Sequence, residues 1–171
     1  MRGSTTICLT LLPLLLLAAV GSSPAVSQER DVALLGFDPV SARLSAVQGA
    51  TLNVVYDGTS VSTGLRGYHL EITYDSALVY VDSLDIHVRE GSFLSAFGNT
   101  AFYTTLMGDT LVIDGAILGS TPGATGSGLL CSIDFEGRPA VEGVSTVELV
   151  DVMLRDPDNH GILYSAGFGV L

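Results

Sequence analysis

Short apolar runs separated by turn residues are the feature that most restricts how this chain can fold. From residue 31 onward, runs rich in Val, Ile, Leu, Thr and Tyr alternate with Gly, Asp, Asn and Pro at intervals of about ten residues. This spacing is typical of an all-β sandwich or barrel, and no long stretch has the periodicity of an amphipathic helix. The sequence therefore predicts about nine strands. They span residues 32–37 with 42–46, 51–56, 65–74, 78–84, 101–106, 110–117, 128–136, 146–154 and 168–171.

Alternation along the strand predicted at residues 65–74 indicates which of its side chains face the core. Its apolar phase comprises Tyr68, Leu70, Ile72 and Tyr74. Successive side chains of a strand point to opposite faces of the sheet. The intervening His69, Glu71 and Thr73 are therefore predicted on an outer surface.

In two later strands, the alternation of apolar and polar residues also indicates irregular pairing or burial. In residues 146–154 the apolar phase shifts by one residue at Val150-Asp151, and a β-bulge there would restore the register. In residues 128–136 the alternation places Leu129 and Cys131 on the apolar side. Cys131 is therefore predicted to be buried, as free cysteines commonly are.

The first 27 residues have the pattern of an export signal. Arg2 supplies a positive start, residues 7–20 form an apolar run, and Ala25-Val26-Ser27 has the small residues that a signal peptidase accepts. The run of 14 residues is shorter than the roughly 20 needed to cross a bilayer. We expect cleavage before Gln28, secretion to the periplasm or the extracellular space without membrane insertion, and a single domain over residues 28–171.

The charge of the chain limits its partners. The formal net charge is −11, Lys is absent, and removal of residues 1–27 takes away Arg2 and no acidic residue, which leaves −12. Because no basic stripe can neutralise phosphates, nucleic acid is excluded as a partner, and an anionic membrane would repel the chain. The acidity serves solubility or favours a basic partner.

No catalytic or metal-binding template fits the sequence. His69, His87 and His160 are far apart and form no zinc spacing such as HExxH, so they are predicted as isolated surface histidines. Ser120 and Ser127 lack the Gly-x-Ser-x-Gly context of a nucleophile elbow. We therefore predict neither an enzyme nor a metal site nor a cofactor.

The segment from Asp156 to Gly161 imitates the beginning of an EF-hand calcium loop. Asp residues stand at loop positions 1 and 3 and Gly at position 6, but position 5 is His160 and position 12 is Gly167. One ligand and the bidentate Glu are thus missing. A polar turn is favoured over a calcium site.

Several segments occur in an order that resembles a known family. The stretch GLRGYHLEITYD at residues 64–75, followed by apolar residues 77–81, is similar to that family's "Gly-hydrophobic-x-Gly" pattern leading into Tyr-Asp and Leu. Further matches are EGSFL at 90–94, DTLVIDGAILG at 109–119, residues 128–135, and residues 147–156 leading into the turn 158–161. Together these segments resemble a cohesin domain, the module that captures dockerins in cellulosomes, over residues 36–171.

The resemblance implies a nine-stranded jelly-roll sandwich, akin to carbohydrate-binding modules, with no catalytic centre. It implies docking of a dockerin-type protein partner on one sheet face, in the context of extracellular polysaccharide degradation. Candidate partner-binding residues are the outward side chains His69, Glu71, Thr73, Asp114, Glu148 and Arg155. The chain departs from first-type cellulosomal cohesins at Gly67 and His69, where those carry Asn and Asp.

Two other roles stay open from the sequence. One is a carbohydrate-binding module with polysaccharide as ligand, although the chain has no Trp and only 7% aromatic residues. Tyr103 and Tyr164 are the tyrosines expected at a surface. The other is a structural subunit of a surface assembly that pairs through edge strands.

Overall fold

The computed structural model describes residues 31–45 and 48–171, so the export signal predicted at residues 1–27 lies outside the described residues. The described ranges form eleven strands and two helices of four residues each. The strands are β1 (Ala33–Asp38), β2 (Ala50–Asp57), β3 (Gly67–Thr73), β4 (Val79–Tyr80), β5 (Val88–Glu90), β6 (Thr100–Met107), β7 (Thr110–Ile117), β8 (Ser127–Gly137), β9 (Thr146–Arg155), β10 (Tyr164–Ala166) and β11 (Phe168–Val170). The helices are α1 (Leu84–His87) and α2 (Ser92–Ser95). A helix long and apolar enough to cross a membrane is absent from the described ranges.

The strands assemble into two sheets that pack face to face. The first sheet has the strand order β10-β1-β2-β8-β4, and β5 also pairs with β8. The second sheet has the order β11-β9-β3-β7-β6. The pairing of β1 with β10 is parallel, and the other strand pairs are antiparallel. The predicted all-β sandwich is confirmed.

The core lies between the sheets and is built from the alternating apolar residues of both. Tyr68 and Tyr74 face inward as predicted, each with 5% of its surface exposed. The ring of Tyr74 packs edge-to-face against that of Phe135 from the first sheet, and the ring centroids are 5.2 Å apart. The largest fully buried side chains are Tyr56, Phe135, Leu52, Leu65, Leu70, Leu94, Leu111, Leu130, Leu154, Ile72, Ile113 and Ile133. Burial of one such side chain contributes about 1.5–3 kcal/mol.

The β-bulge predicted in β9 is confirmed. Glu71 of β3 pairs with Asp151, and the next residue, Ile72, pairs with Leu149. Val150 therefore has no partner on β3, and 53% of its surface is exposed. The extra residue keeps the apolar side chains on both sides of it in the core.

A second bulge, in β8, makes one predicted orientation wrong. Val54 pairs with Cys131 and Val55 with Leu129, so Leu130 is the extra residue. Leu130 is 1% exposed, whereas Leu129, expected in the core, is only partly buried. Cys131 is fully buried as predicted, and its burial raises the pKa of the thiol to about 12.

Several strand predictions also need correction. The strand predicted at residues 78–84 is only Val79–Tyr80, because the chain turns into α1 at Leu84. Residues 42–45 form bridges at most, and residue 46 lies outside the described part. The strands β5 and β10 were not predicted. Each has three residues, too few for alternation to be recognised, and each forms by pairing with a distant strand.

Candidate functional site

The outer face of the second sheet carries a regular array of side chains. Pairing of β6, β7, β3 and β9 places the outward residues of these strands in four cross-strand rows. The two central rows are Tyr103-Asp114-His69-Met153 and Thr105-Val112-Glu71-Asp151. The flanking rows are Ala101-Ala116-Gly67-Arg155 and Met107-Thr110-Thr73-Glu148. We call this surface the four-row face.

The structure brings all six sequence-predicted site residues to the four-row face. His69, Glu71 and Asp114 stand in the two central rows, and Thr73, Glu148 and Arg155 stand in the flanking rows. They come from β3, β7 and β9, which are neighbours in the sheet but far apart in sequence. The twofold alternation of a strand thus puts chemically different side chains on one continuous surface.

His69 lies between carboxylates at the centre of the face. Its Nδ1 is 2.8 Å from Oδ1 of Asp114, and its Nε2 is 3.6 Å from Oε1 of Glu71. The pKa of His69 is raised, mainly because Asp114 makes a hydrogen bond to the ring, with a smaller contribution from Glu71. The imidazole therefore holds a proton more tightly than a free histidine does.

The four-row face is acidic. Asp114, Glu71 and Asp151 adjoin one another across three strands, with Glu148 in the flanking row. Within residues 31–45 and 48–171, no arginine lies within ion-pair distance of these four carboxylates. Among the described residues, only His69 lies close enough to these carboxylates to offset part of their negative charge.

Apolar side chains lie among these charges. Tyr103 is 69% exposed and Met153 42% exposed, and both belong to the central row that contains His69. Val112, in the adjacent row, is 8% exposed although it lies outside the core between the sheets. Its neighbours on the face cover it. Exposed aromatic and methionine side chains of this kind are enriched at protein–protein interfaces.

One end of the four-row face forms an open depression of about 540 Å³. Its lining includes the small residues Gly67, Ala101 and Ala116. Tyr103 and Arg155 are among the larger side chains around it. This depression can accept a protruding side chain of a bound molecule.

The segment from Asp156 to Gly161 forms the predicted turn next to that depression. Oδ1 of Asp156 accepts hydrogen bonds from the backbone N–H groups of Asp158, at 2.9 Å, and His160, at 2.7 Å. Asn159 has a positive φ of 63°, which Asn tolerates better than most residues. The side chain of Asp156 is thus occupied in holding the turn.

Sequence reasoning missed Asp151, Met153 and Val112 as members of the face. The first two could have been found by counting outward positions beyond the bulge in β9. Val112 carried no signal, since an apolar residue in a strand is normally assigned to the core. Tyr103 and Tyr164 are exposed as expected, but they lie in different sheets and form no common row.

No family model matches the sequence, and no curated protein matches it either. Solved structures do match in fold. A non-cellulosomal cohesin from the archaeon Archaeoglobus fulgidus superposes with a TM-score of 0.63 and 16% identity, over 81% of this chain and 88% of that one. The sixth cohesin of Acetivibrio cellulolyticus scaffoldin B was solved in complex with a Cel5 dockerin mutant. It superposes with a TM-score of 0.65 and 14% identity, over 81% of this chain and 96% of that one.

A third similar structure is a type I cohesin–dockerin complex from Clostridium thermocellum. It has a TM-score of 0.61 and 15% identity, and covers 81% of this chain and 89% of the matched one. The resemblance to cohesin domains that the sequence predicted is therefore confirmed as a likeness of fold.

Proposed function

We propose that this chain is a secreted, non-enzymatic module that docks a protein partner of the dockerin type through the four-row face. The observation that carries the proposal is the composition of the two central rows. They combine the exposed apolar side chains of Tyr103 and Met153 with three carboxylates that lack an arginine partner among the described residues. Apolar contact supplies affinity, while charge complementarity to a basic partner sets encounter rate and specificity.

The similar structures support the class of partner. Two of them are cohesins solved in complex with dockerins. Secretion rests on the signal pattern of residues 1–27, and the non-enzymatic role on the lack of a catalytic motif in the sequence. A place in extracellular polysaccharide degradation follows if the captured partner belongs to a polysaccharide-degrading enzyme.

The test is capture of a partner from the secreted and envelope fractions of the host by the purified protein, with calcium and with EDTA. We expect calcium-dependent capture of a protein that carries paired EF-hand-like repeats. The His69→Ala/Glu71→Ala double variant and the Tyr103→Ala variant should each weaken this capture at least tenfold. Leu34→Ala is the control, since Leu34 is 54% exposed on the first sheet.

Other outcomes would contradict the proposal. Retention on insoluble polysaccharide without any captured protein would indicate a carbohydrate-binding module instead. Equal capture by the wild type and the variants would remove the four-row face from partner binding. Equal loss with Leu34→Ala would place the interface elsewhere on the sandwich.

One observation favours self-assembly as a second candidate function. β6 is an edge strand of eight residues, TAFYTTLM, with neither a charged residue nor a proline. Natural edge strands usually carry such residues, because exposed backbone groups otherwise pair with another chain. Sedimentation of the purified protein should then show concentration-dependent dimers, and Thr104→Lys should abolish them. A monomer at all concentrations would exclude this candidate.

A further inference from the structure

A nitrogen donor and two carboxylates converge at the centre of the four-row face. Glu71 on β3 pairs directly with Asp151 on β9, and His69 precedes Glu71 by two residues on the same side of the strand. One ligand atom from each of the three side chains lies within 4.8 Å of the other two. Two hydrogen-bonded strands hold this set, so its spacing does not depend on a loop.

The imidazole of His69 is oriented by a residue outside this set. Asp114 on β7 lies 2.8 Å from Nδ1 and can only accept a hydrogen bond there, so in the neutral ring Nδ1 carries the proton and Nε2, the nitrogen nearer to Glu71, is the free donor atom. Metal-binding histidines commonly donate their other ring N–H to a carboxylate in this way. The distance of 3.6 Å from Nε2 to Oε1 of Glu71 is close to the roughly 3.3 Å between two ligands of a tetrahedral zinc.

The electrostatics of the cluster favour a cation. Like charges placed directly opposite each other on paired strands are destabilising, and Glu71 and Asp151 form such a pair. Asp114 adds a third carboxylate, and none of the three has an arginine within ion-pair distance in the described part of the chain. A bound divalent ion would convert this repulsion into attraction.

We propose that His69, Glu71 and Asp151 bind a divalent transition-metal ion, with Zn²⁺ as the representative, and that Asp114 is a positioning residue for His69. The nitrogen donor selects this class of ion, because Ca²⁺ and Mg²⁺ take oxygen ligands. With three protein ligands, the fourth coordination position of a tetrahedral ion is open toward the outside of the face. Water fills it in the free protein, and a side chain of a docked partner can replace the water.

A second cluster of the same residue types provides a matched control. Asp156, Asp158 and His160 also bring three ligand atoms within 4.8 Å. Oδ1 of Asp156 is already used by two backbone N–H groups, however, and 78% of the His160 side chain is exposed. A carboxylate that orients the ring from outside the cluster, as Asp114 does for His69, is not seen there among the described residues.

The experiment is calorimetric titration of ZnCl₂ into the purified, metal-free full chain, repeated with CoCl₂ while visible absorption is recorded. The wild type should bind one equivalent of Zn²⁺, and bound Co²⁺ should give the visible bands of a nitrogen–oxygen site. His69→Ala should lower the affinity at least tenfold and abolish the bands. Asp114→Ala should lower the affinity about tenfold, and Asp114→Asn, which keeps an oxygen acceptor, should recover part of it. His160→Ala should bind like the wild type.

Three results would overturn the inference. They are no saturable binding at millimolar Zn²⁺, binding that His69→Ala leaves unchanged, and binding lost in His160→Ala instead. Thermal unfolding of each variant without metal separates loss of ligands from loss of fold. Because the readout needs no partner, a failure here leaves the docking proposal intact, and a failure of docking leaves metal binding intact.

Discussion

The hydroxyl of Tyr68 on β3 donates a hydrogen bond of 3.0 Å to the carbonyl oxygen of Leu130 on β8. This bond crosses the core and joins the two sheets. Its acceptor is the extra residue of the β8 bulge, whose carbonyl also receives the backbone N–H of Gly91 at 2.8 Å. The carbonyl of the bulge residue thus accepts two hydrogen bonds, one from the end of β5 in its own sheet and one from a tyrosine of the opposite sheet.

Tyr68→Phe removes the inter-sheet hydrogen bond while it preserves the ring. We expect the free energy of unfolding to fall by about 1 kcal/mol, and not by more, since Leu130 keeps its bond from Gly91. Urea denaturation of the two proteins measures this difference. Tyr103→Phe is the control, with an expected change below about 0.5 kcal/mol because its hydroxyl is on the exposed face. Equal effects of both substitutions would contradict the assignment.

Gly115→Ala should destabilise the sandwich through the same tyrosine. A Cβ at position 115 would lie 2.4 Å from Cζ of Tyr68, so the ring or the strand must move. Overpacking of this kind costs about 1–3 kcal/mol. Gly36→Ala is the matched control, because nothing lies within 4 Å of a Cβ there. Urea unfolding of both variants should separate them, and a tolerated Gly115→Ala would mean that Tyr68 can shift freely.

His69 should titrate above its usual value of 6.5, chiefly because of its hydrogen bond to Asp114. A raised folded-state pKa means that the folded protein binds the proton more tightly than the unfolded chain. Protonation of His69 therefore stabilises the fold below about pH 6.5, and this contribution is lost as the pH rises through the folded-state pKa. Histidine resonances followed by NMR should show a lower pKa for His69 in Asp114→Asn. An unchanged titration would show that Asp114 does not set this pKa.

Deletion of Val150 should be tolerated, because it removes only the unpaired residue of the β9 bulge. Leu149 and Asp151 would become consecutive and could keep their pairing with Ile72 and Glu71. Deletion of Met153, in contrast, would reverse the faces of the residues on one side of the gap and bury a charged group. Circular dichroism and thermal unfolding should show a folded first variant and a strongly destabilised second one. Similar losses in both would argue against the bulge as the source of the shifted register.

The two bulges show what could be predicted from the sequence and what could not. The β9 bulge was predictable because the polar Asp151 stands where the alternation of apolar residues shifts by one position. The β8 bulge was not, because Leu129 and Leu130 are chemically alike and nothing in the local pattern distinguishes the buried Leu130 from Leu129. Alternation along a strand thus predicts which side chains face the core where polar residues interrupt the apolar pattern. Where all residues are apolar, tertiary contacts determine which of them are buried.

The same distinction applies to the candidate site. His69 and Glu71 were placed on an outer face by the alternation of their own strand. Their approach to Asp114 and Asp151 depends on which strands become neighbours and in which register, and nothing local to residues 65–74 encodes that. Histidines that looked isolated in the sequence therefore stand in carboxylate clusters in the folded chain.

The pairing of β1 with β10 joins the two ends of the described chain, since Ala33 pairs with Tyr164, about 130 residues later. During synthesis the first sheet lacks this edge strand until residues 164–166 have been made. Pairing over such a sequence separation forms late and slowly. This edge of the first sheet therefore closes only after nearly all of the described chain has been made.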